Sequence, residues 1–274
     1  SCSDGNGQIL DCIKQGKIFL HKINVADGSL KVGDTLKLSV ESTSRASTAS
    51  NHSATHLMHA ALKHVLGSHV EQKGSLVDAS KLRFDFSHPK AVTKDEIKEI
   101  ELIVNQQTLN NAEVKTELMQ LDDAIASGAE AMFGEKYDDE VRVLSMGDGF
   151  SVELCGGTHV SRTGDIGMFV ILSESSVSSG VRRIEAVTGS KAVELMLEIR
   201  SQLQDVQGIL NVGAPQVSSK VEGLVRENKS LKKGNKTKEK STVDIKEAIH
   251  KINNFDLVLL EAETQNIQDL RQLV

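Results

Sequence analysis

The sequence predicts an α+β fold, on three observations. Helix-like segments with three-and-four apolar spacing interleave with short alternating runs, without a regular strand–helix–strand repeat. Turn signals at Asp27-Gly28 and Gly33-Asp34 punctuate short apolar runs near the N-terminus, as antiparallel pairing requires. A long heptad-like stretch after Ser190 stands apart from the strands. In chain order these give a small β-barrel-like segment over 1–45 and an α+β domain over 46–189. A helical arm and linker follow over 190–240, then the start of a small α/β domain over 241–274.

Each element has a local reason. Ile18-Phe19-Leu20 and Leu36-Lys37-Leu38-Ser39-Val40 read as strands of the first segment, and the Ser/Thr-rich stretch 42–50 as a linker ending in helix-capping residues. From Asn51 to Leu66, Leu57, Ala61, Leu62, Val65 and Leu66 form the apolar face of a helix that Gly67 closes. Leu82-Arg83-Phe84-Asp85-Phe86 alternates as a strand. Thr93-Lys94-Asp95-Glu96 is a capping box opening a helix with Ile97, Ile100 and Val104 on one face. A short helix near 122–132 precedes strand-like runs at Val141–Met146, Phe150–Leu154, Gly167–Leu172 and Val181–Val187. Ser190 caps a helix with Val193, Leu197, Leu203, Val206 and Leu210 on one stripe, and Gly213-Ala214-Pro215 breaks it. Val217, Val221, Leu224, Asn228 and Leu231 form a second, heptad-spaced seam, which reads as a hairpin or self-association arm. Lys229–Lys240 reads as a solvated, glycine-broken linker. Beyond 243 a helix, the strand Leu257–Leu260 and the start of another helix are expected.

Composition narrows the classes. Of 274 residues, 39% are hydrophobic and 26% charged, as in soluble globular proteins, while aromatics reach only 3% with no Trp, so the core rests on aliphatics. No apolar run approaches the about 18 residues of a spanning helix and no secretory leader is present, so no membrane partner is expected. Three cysteines, an odd number, fit a reducing compartment better than a disulfide framework, which makes the cytoplasm the expected location. The net charge of −6 is of the wrong sign for a general polyanion binder, so any nucleic acid is expected to meet a local basic patch. The chain starts at Ser1 and stops at Val274 inside a helix-like pattern, and it reads as a piece of a longer protein.

Two ligand pairs carry the chemistry. His52 and His56 lie four apart on the expected helix, one above the other, so both imidazoles can reach one point. Cys155 and His159 form a second pair across Gly156-Gly157, where the glycines let the backbone fold back. Either pair alone is ordinary; together, a thiolate and three imidazoles match the donors of a tetrahedral Zn2+ site. His59 is the competing ligand. Four protein ligands describe a closed, organising ion, whereas one loose ligand would admit water, and both alternatives stand.

These residues lie in longer blocks. Asn51–Leu62 (NHSATHLMHAAL), Gln72-Lys73-Gly74-Ser75, Leu82–His88 (LRFDFSH), Phe133-Gly134-Glu135-Lys136-Tyr137, Glu153–His159 (ELCGGTH) and Val181–Ala186 (VRRIEA) occur in the order of the editing domain of alanyl-tRNA synthetases, which the chain resembles over about residues 14–235. The helical hairpin and the segment after 243 are similar to the arm and the C-terminal domain of that family, and the first dozen residues match poorly. The resemblance implies zinc-dependent hydrolysis of the ester of seryl- or glycyl-tRNA(Ala). ATP would be needed only by an aminoacylation domain absent from this sequence.

The same resemblance places His52, His56, Cys155 and His159 as zinc ligands and Thr55 and Gln72 in the editing pocket. Read without it, the Thr55 hydroxyl would only back-bond to a helix carbonyl, and Gln72 would be a solvated residue before a Lys-Gly-Ser turn. Arg182 and Arg183 alternate across a strand, so only one can face the tRNA acceptor end. Lys73 is a further phosphate candidate, and the Gly156-Gly157 amides are candidates for an oxyanion. Glu153 and His59 are conceivable bases. The rival readings are a free-standing deacylase acting in trans and an inactive zinc-stabilised RNA-binding or dimerisation module.

Overall fold

The computed structural model describes residues 5–16, 18–131, 137–238, 245–252 and 255–262. The chain divides within one helix into two units, Ser1–Leu197 and Glu198–Val274. The first unit is mixed α+β, as its sequence predicts. It opens with an antiparallel hairpin, β1 (Gly5–Gln15) and β2 (Ile18–Gly28), in which Cys12 faces His21 and Ile13 faces Leu20. This is a two-stranded sheet and not a barrel, and the expected strand at Leu36–Val40 has no regular structure. Closure needs pairing at both edges, which no described strand supplies, and Ile13, Phe19, Leu38 and Val40 stay exposed.

The stretch expected as a linker, 42–50, is the first part of α1 (Ser42–Leu66). Glu41 caps it: its carboxylate accepts the Thr43 and Ser44 backbone N–H groups at 2.9 and 2.5 Å. Two of the hydroxyls in this stretch are bonded to backbone carbonyls, Thr48 donating to that of Ser44 and Ser50 to that of Asp165. α1 ends at Gly67, whose φ of 113° is strained for any residue with a Cβ.

After α1 come β3 (Gln72–Val77), β4 (Leu82–Ser87), α2 (Lys94–Asn110), β5 (Lys115–Gln120), α3 (Leu121–Ala126), β6 (Glu140–Met146), β7 (Ser151–Leu154), β8 (Phe169–Ser178), β9 (Val181–Thr188) and α4 (Gly189–Leu210). Two antiparallel sheets result, in the orders β3-β4-β9-β8 and β5-β6-β7. Gln72–Ser75, expected as a turn, opens β3 with an irregular register between Gln72 and Gly74. β5 has no apolar alternation to announce it; it is almost wholly exposed and exists through pairing with β6. The block Phe133–Tyr137 lies, except for Tyr137, outside the described residues.

The main core joins α1 to the four-stranded sheet and α2. Leu57, Met58, Ala61 and Leu62 of α1 are fully buried with Leu82, Phe84 and Phe86 of β4, Ile100 and Val104 of α2, and Ile184 and Ala186 of β9. Each large apolar side chain so buried contributes roughly 1.5–3 kcal/mol. Buried Asn51 fixes α1 along its axis, donating to the Asp78 carbonyl (2.8 Å) and accepting from the Thr188 hydroxyl (2.7 Å). The ligand pair on α1 is therefore carried by the best-anchored helix of the unit.

In the second unit, α4 runs to Leu210, a 3₁₀ turn spans Ala214–Gln216, and α5 (Val217–Lys238) follows. The linker expected from Lys229 is helical as far as Lys238. Lysine is a good helix former, and the lone Gly234 costs only about 1 kcal/mol. The helix expected after 243 is instead β10 (Ile245–Ile252), paired along its length with β11 (Phe255–Ala262), which contains the expected strand Leu257–Leu260. Cross-strand pairing here overrides local propensity. The last expected helix lies outside the described residues. Among those described, no helix is long and apolar enough to cross a membrane.

The capping box at α2 is formed as the sequence predicts, with Thr93 Oγ1 accepting from Glu96 N and Glu96 accepting from Thr93 N. Thr93→Ala is expected to destabilise the chain by about 1 kcal/mol, read as a shift in its urea midpoint at unchanged slope.

Candidate metal centre

The two expected ligand pairs meet. One donor atom from each of His52, His56, Cys155 and His159 lies within 4.8 Å of the other three. The imidazole centroids of His52, His56 and His159 are 4.3–5.1 Å apart. The Cys155 sulfur lies 3.6 Å from His52 Nε2 and 3.3 Å from His159 Nε2. Tetrahedral bonds of about 2.3 Å to sulfur and about 2.05 Å to nitrogen would separate S and N by about 3.6 Å, so the spacing suits an ion at the centre. His56 Nδ1 is committed to Glu153 Oε2 at 2.7 Å, and His56 Nε2 is buried with no hydrogen-bond partner. A buried ring nitrogen without a hydrogen-bond partner, among a sulfur and two imidazoles, fits a zinc ligand set.

The turn after β7 delivers Cys155 and His159. Arg142 of β6 donates to the Gly157 carbonyl at 2.7 Å, and Ser53 of α1 bridges His159 Nδ1 (3.3 Å) and the Val160 N–H (3.1 Å). The glycines of this turn serve a different purpose from the one their flexibility suggests. Neither has a left-handed φ, but a Cβ on Gly157 would fall 2.1 Å from His52 Cε1, whereas one on Gly156 would meet nothing within 4 Å. Gly157 is required for close approach to α1 and Gly156 is not.

The electrostatics favour a cation. Burial pushes the Cys155 thiol up, but the neighbouring imidazoles of His159, His52 and His56 outweigh it and bring the thiol down to about 3. Burial likewise pushes His56 down, yet the Cys155 sulfur and the Glu153 carboxylate raise it to about 10. For His159 burial dominates and lowers its value, keeping it neutral. For Glu153 burial alone would raise the carboxyl, but hydrogen bonds from His56 and His59 hold it well below the usual carboxylate range. Two buried anions thus face the imidazoles.

A cleft of about 320 Å³ adjoins Glu153, lined also by His59, Lys63, Glu71, Gln72 and Glu130. Gln72 reaches it from the first position of β3. The buried Thr55 hydroxyl donates to the Asn51 carbonyl at 2.9 Å, the back-bond that its helical position favours. Lys73 is paired with Glu71 at 2.8 Å. Arg182 and Arg183 do point to opposite faces of β9. Arg182 forms a two-pronged pair with Glu174 of β8 and Arg183 one with Asp85 of β4, so neither guanidinium is free of a carboxylate. His59 is no ligand of the four-donor group; its Nδ1 lies 3.1 Å from Glu153 Oε1. The sequence gives no notice of Asn51, Ser53, Arg142 or the packing role of Gly157. Only the position of Asn51 and Ser53 beside His52 could have flagged them.

Part of this unit is similar to an accessory domain of aminoacyl-tRNA synthetases. Residues 141–185 match the family described as Threonyl and Alanyl tRNA synthetase second additional domain. The chain is 54% identical over 226 residues to the alanine--tRNA ligase of Saccharophagus degradans, covering 82% of this chain and 26% of that one. It is 46% identical over 267 residues to that of Hydrogenovibrio crunogenus (96% and 31%), and 42% identical over 279 residues to that of Pseudoalteromonas translucida (100% and 32%). The chain belongs to the alanine--tRNA ligase family, and it spans about 30% of the length of these relatives.

Two measurements check the centre. Gly157→Ala is expected to weaken zinc binding at least tenfold while Gly156→Ala leaves it unchanged, by competition with a chromophoric chelator. In the metal-free chain at pH 7 His56 holds a proton and Cys155 does not, so each ion bound should displace about one proton. The apparent affinity should then fall about tenfold per unit as pH drops below about 10. Calorimetry in buffers of different ionisation enthalpy measures that proton directly.

Proposed function

We propose that this chain is the editing part of an alanine--tRNA ligase, hydrolysing the ester that joins serine or glycine to the terminal ribose of tRNA(Ala). The observation that carries the reading is the convergence of His52, His56, Cys155 and His159 beside a cleft walled by Gln72, His59 and Glu153. A synthetic pocket shaped for a methyl group rejects an added hydroxyl, or a bare hydrogen, by only a few kcal/mol, so a second, hydrolytic sieve is needed. A pocket that hydrogen-bonds the serine hydroxyl spares alanine, whose methyl would leave those polar groups unpaired.

His52, His56, Cys155 and His159 would hold one Zn2+, which, with four protein donors, would organise the pocket and polarise what lies beside it. Gln72 would hydrogen-bond the aminoacyl end or the ribose from the cleft wall. Thr55, with its proton on the Asn51 carbonyl, keeps lone pairs for a donor from the substrate. Gly157 N–H lies against the Cys155 sulfur at 3.5 Å, so the oxyanion role falls to the Gly156 amide. Water attacks the ester carbonyl carbon, the bond to the ribose oxygen breaks, and a proton from the water passes to that oxygen, giving the free amino acid and a ribose hydroxyl.

The acceptor end of tRNA(Ala) is the partner, and Lys73, Arg182 or Arg183 would take its phosphates by exchanging a carboxylate for a phosphate. ATP belongs to aminoacylation elsewhere in such an enzyme. Val221, Leu224, Val225 and Leu231 of α5 are exposed, which supports self-association through the arm. Cys155→Ala should lose bound zinc and seryl-tRNA(Ala) deacylation together, by at least a hundredfold in rate. Full deacylation by a zinc-free variant would sink the reading.

A further inference from the structure

We infer that Glu153, braced by His59, is the positioning residue that sets His56 for metal binding. The inference rests on the zinc reading above and adds residues outside the four-donor group. Glu153, His56 and His59 are only 5–6% exposed, so the carboxylate lies where an unpaired charge would not survive. Its partners are not lysine or arginine but two imidazoles of one helix face. His56 Nδ1 meets Oε2 at 2.7 Å and His59 Nδ1 meets Oε1 at 3.1 Å, while the Ser151 hydroxyl donates to Oε1 at 3.3 Å. A proton held between His56 Nδ1 and the carboxylate leaves Nε2, the buried nitrogen without a partner, as the atom that would face a metal. A carboxylate behind a ligating imidazole also raises its basicity and stops ring rotation.

His59 supports the carboxylate at a visible cost. Its own Nε2 is buried and has no hydrogen-bond partner, with the ring 5.2 Å from that of Phe84. A histidine kept in that state is kept for its other nitrogen, the one that steadies Glu153. One donor atom each of His59, Glu130 and Glu153 also lies within 4.8 Å of the others, which raises a second cation as an alternative. Two contacts oppose it: Lys63 Nζ already sits 2.5 Å from Glu130, and the Glu153 oxygens already serve three donors. The Glu153 carboxylate is already satisfied by these hydrogen bonds.

The test uses the purified 274-residue chain, with zinc affinity by chelator competition and Co2+ absorption as readouts that fold stability alone would not move. Glu153→Gln should lower zinc affinity about 10–100-fold and shift the Co2+ bands, with circular dichroism unchanged. His59→Gln, which keeps an N–H for the carboxylate, should stay within about threefold of the parent, whereas His59→Leu should lose about tenfold. Folded Glu153→Gln and His59→Leu variants that bind zinc like the parent would overturn the inference and leave the editing proposal standing. A parent chain that binds no zinc would overturn both. A second equivalent of Co2+ removed by Glu130→Gln would replace the network with a cation site.

Discussion

Two buried anions facing four imidazoles make the constraint on which this structure depends. The Cys155 thiolate and the Glu153 carboxylate come from one short segment, β7 and its following turn, and both press against α1. Without His52, His56, His59 and His159 they would be among the costliest groups to bury, because a low-dielectric interior leaves a charge unsolvated. With them, the same burial strengthens each contact. The segment and the helix are therefore interdependent, and the fold has to hold them in register.

Much of the surrounding architecture does that holding. Asn51 ties α1 to the Asp78 carbonyl and to Thr188 at the end of β9, one residue before the first ligand. Leu57, Met58, Ala61 and Leu62 seat the opposite side of the helix in the core, so its histidine face cannot roll away. On the other side Arg142 grips the Gly157 carbonyl, and Gly157 itself is bare so that the turn can touch the His52 ring. These contacts are each modest. Their effect is geometric, since a shift of a few tenths of an ångström would spoil a four-donor arrangement.

How much of this is legible in the sequence depends on the range of the interaction. The i,i+4 histidines and the Cys-Gly-Gly-Thr-His pair are readable because local spacing dictates which side chains can share a point, and the Thr93 capping box is readable for the same reason. Convergence of the two pairs is a matter of tertiary structure, which motif order supports but spacing alone does not dictate. The features that differ from expectation are decided at long range. The helix start at Ser42 depends on a glutamate cap and on the Asp165 carbonyl, β5 on its partner β6, and β10 on pairing with β11. The barrel fails because a hairpin's local pattern says nothing about what closes it. Gly157 is the subtler case: its residue type is plain in the sequence, but the reason lies in a ring more than a hundred residues away along the chain.

The closed ligand set and the open cleft divide the labour of the site. Four protein donors within 4.8 Å could saturate a tetrahedral ion, which would then act by fixing α1 against the Cys155 turn and by its charge. The cleft beside Glu153 is lined by groups with hydrogen-bonding capacity toward a ligand, among them Gln72, Glu71 and the paired Lys63 and Glu130. Glu153 stands between the two, its carboxylate on His56 toward the ligand set and on His59 toward the cleft. The two imidazoles take separate oxygens of that one carboxylate, His56 on Oε2 and His59 on Oε1. One buried residue thus touches both the four-donor group, through His56, and the cleft wall, through His59.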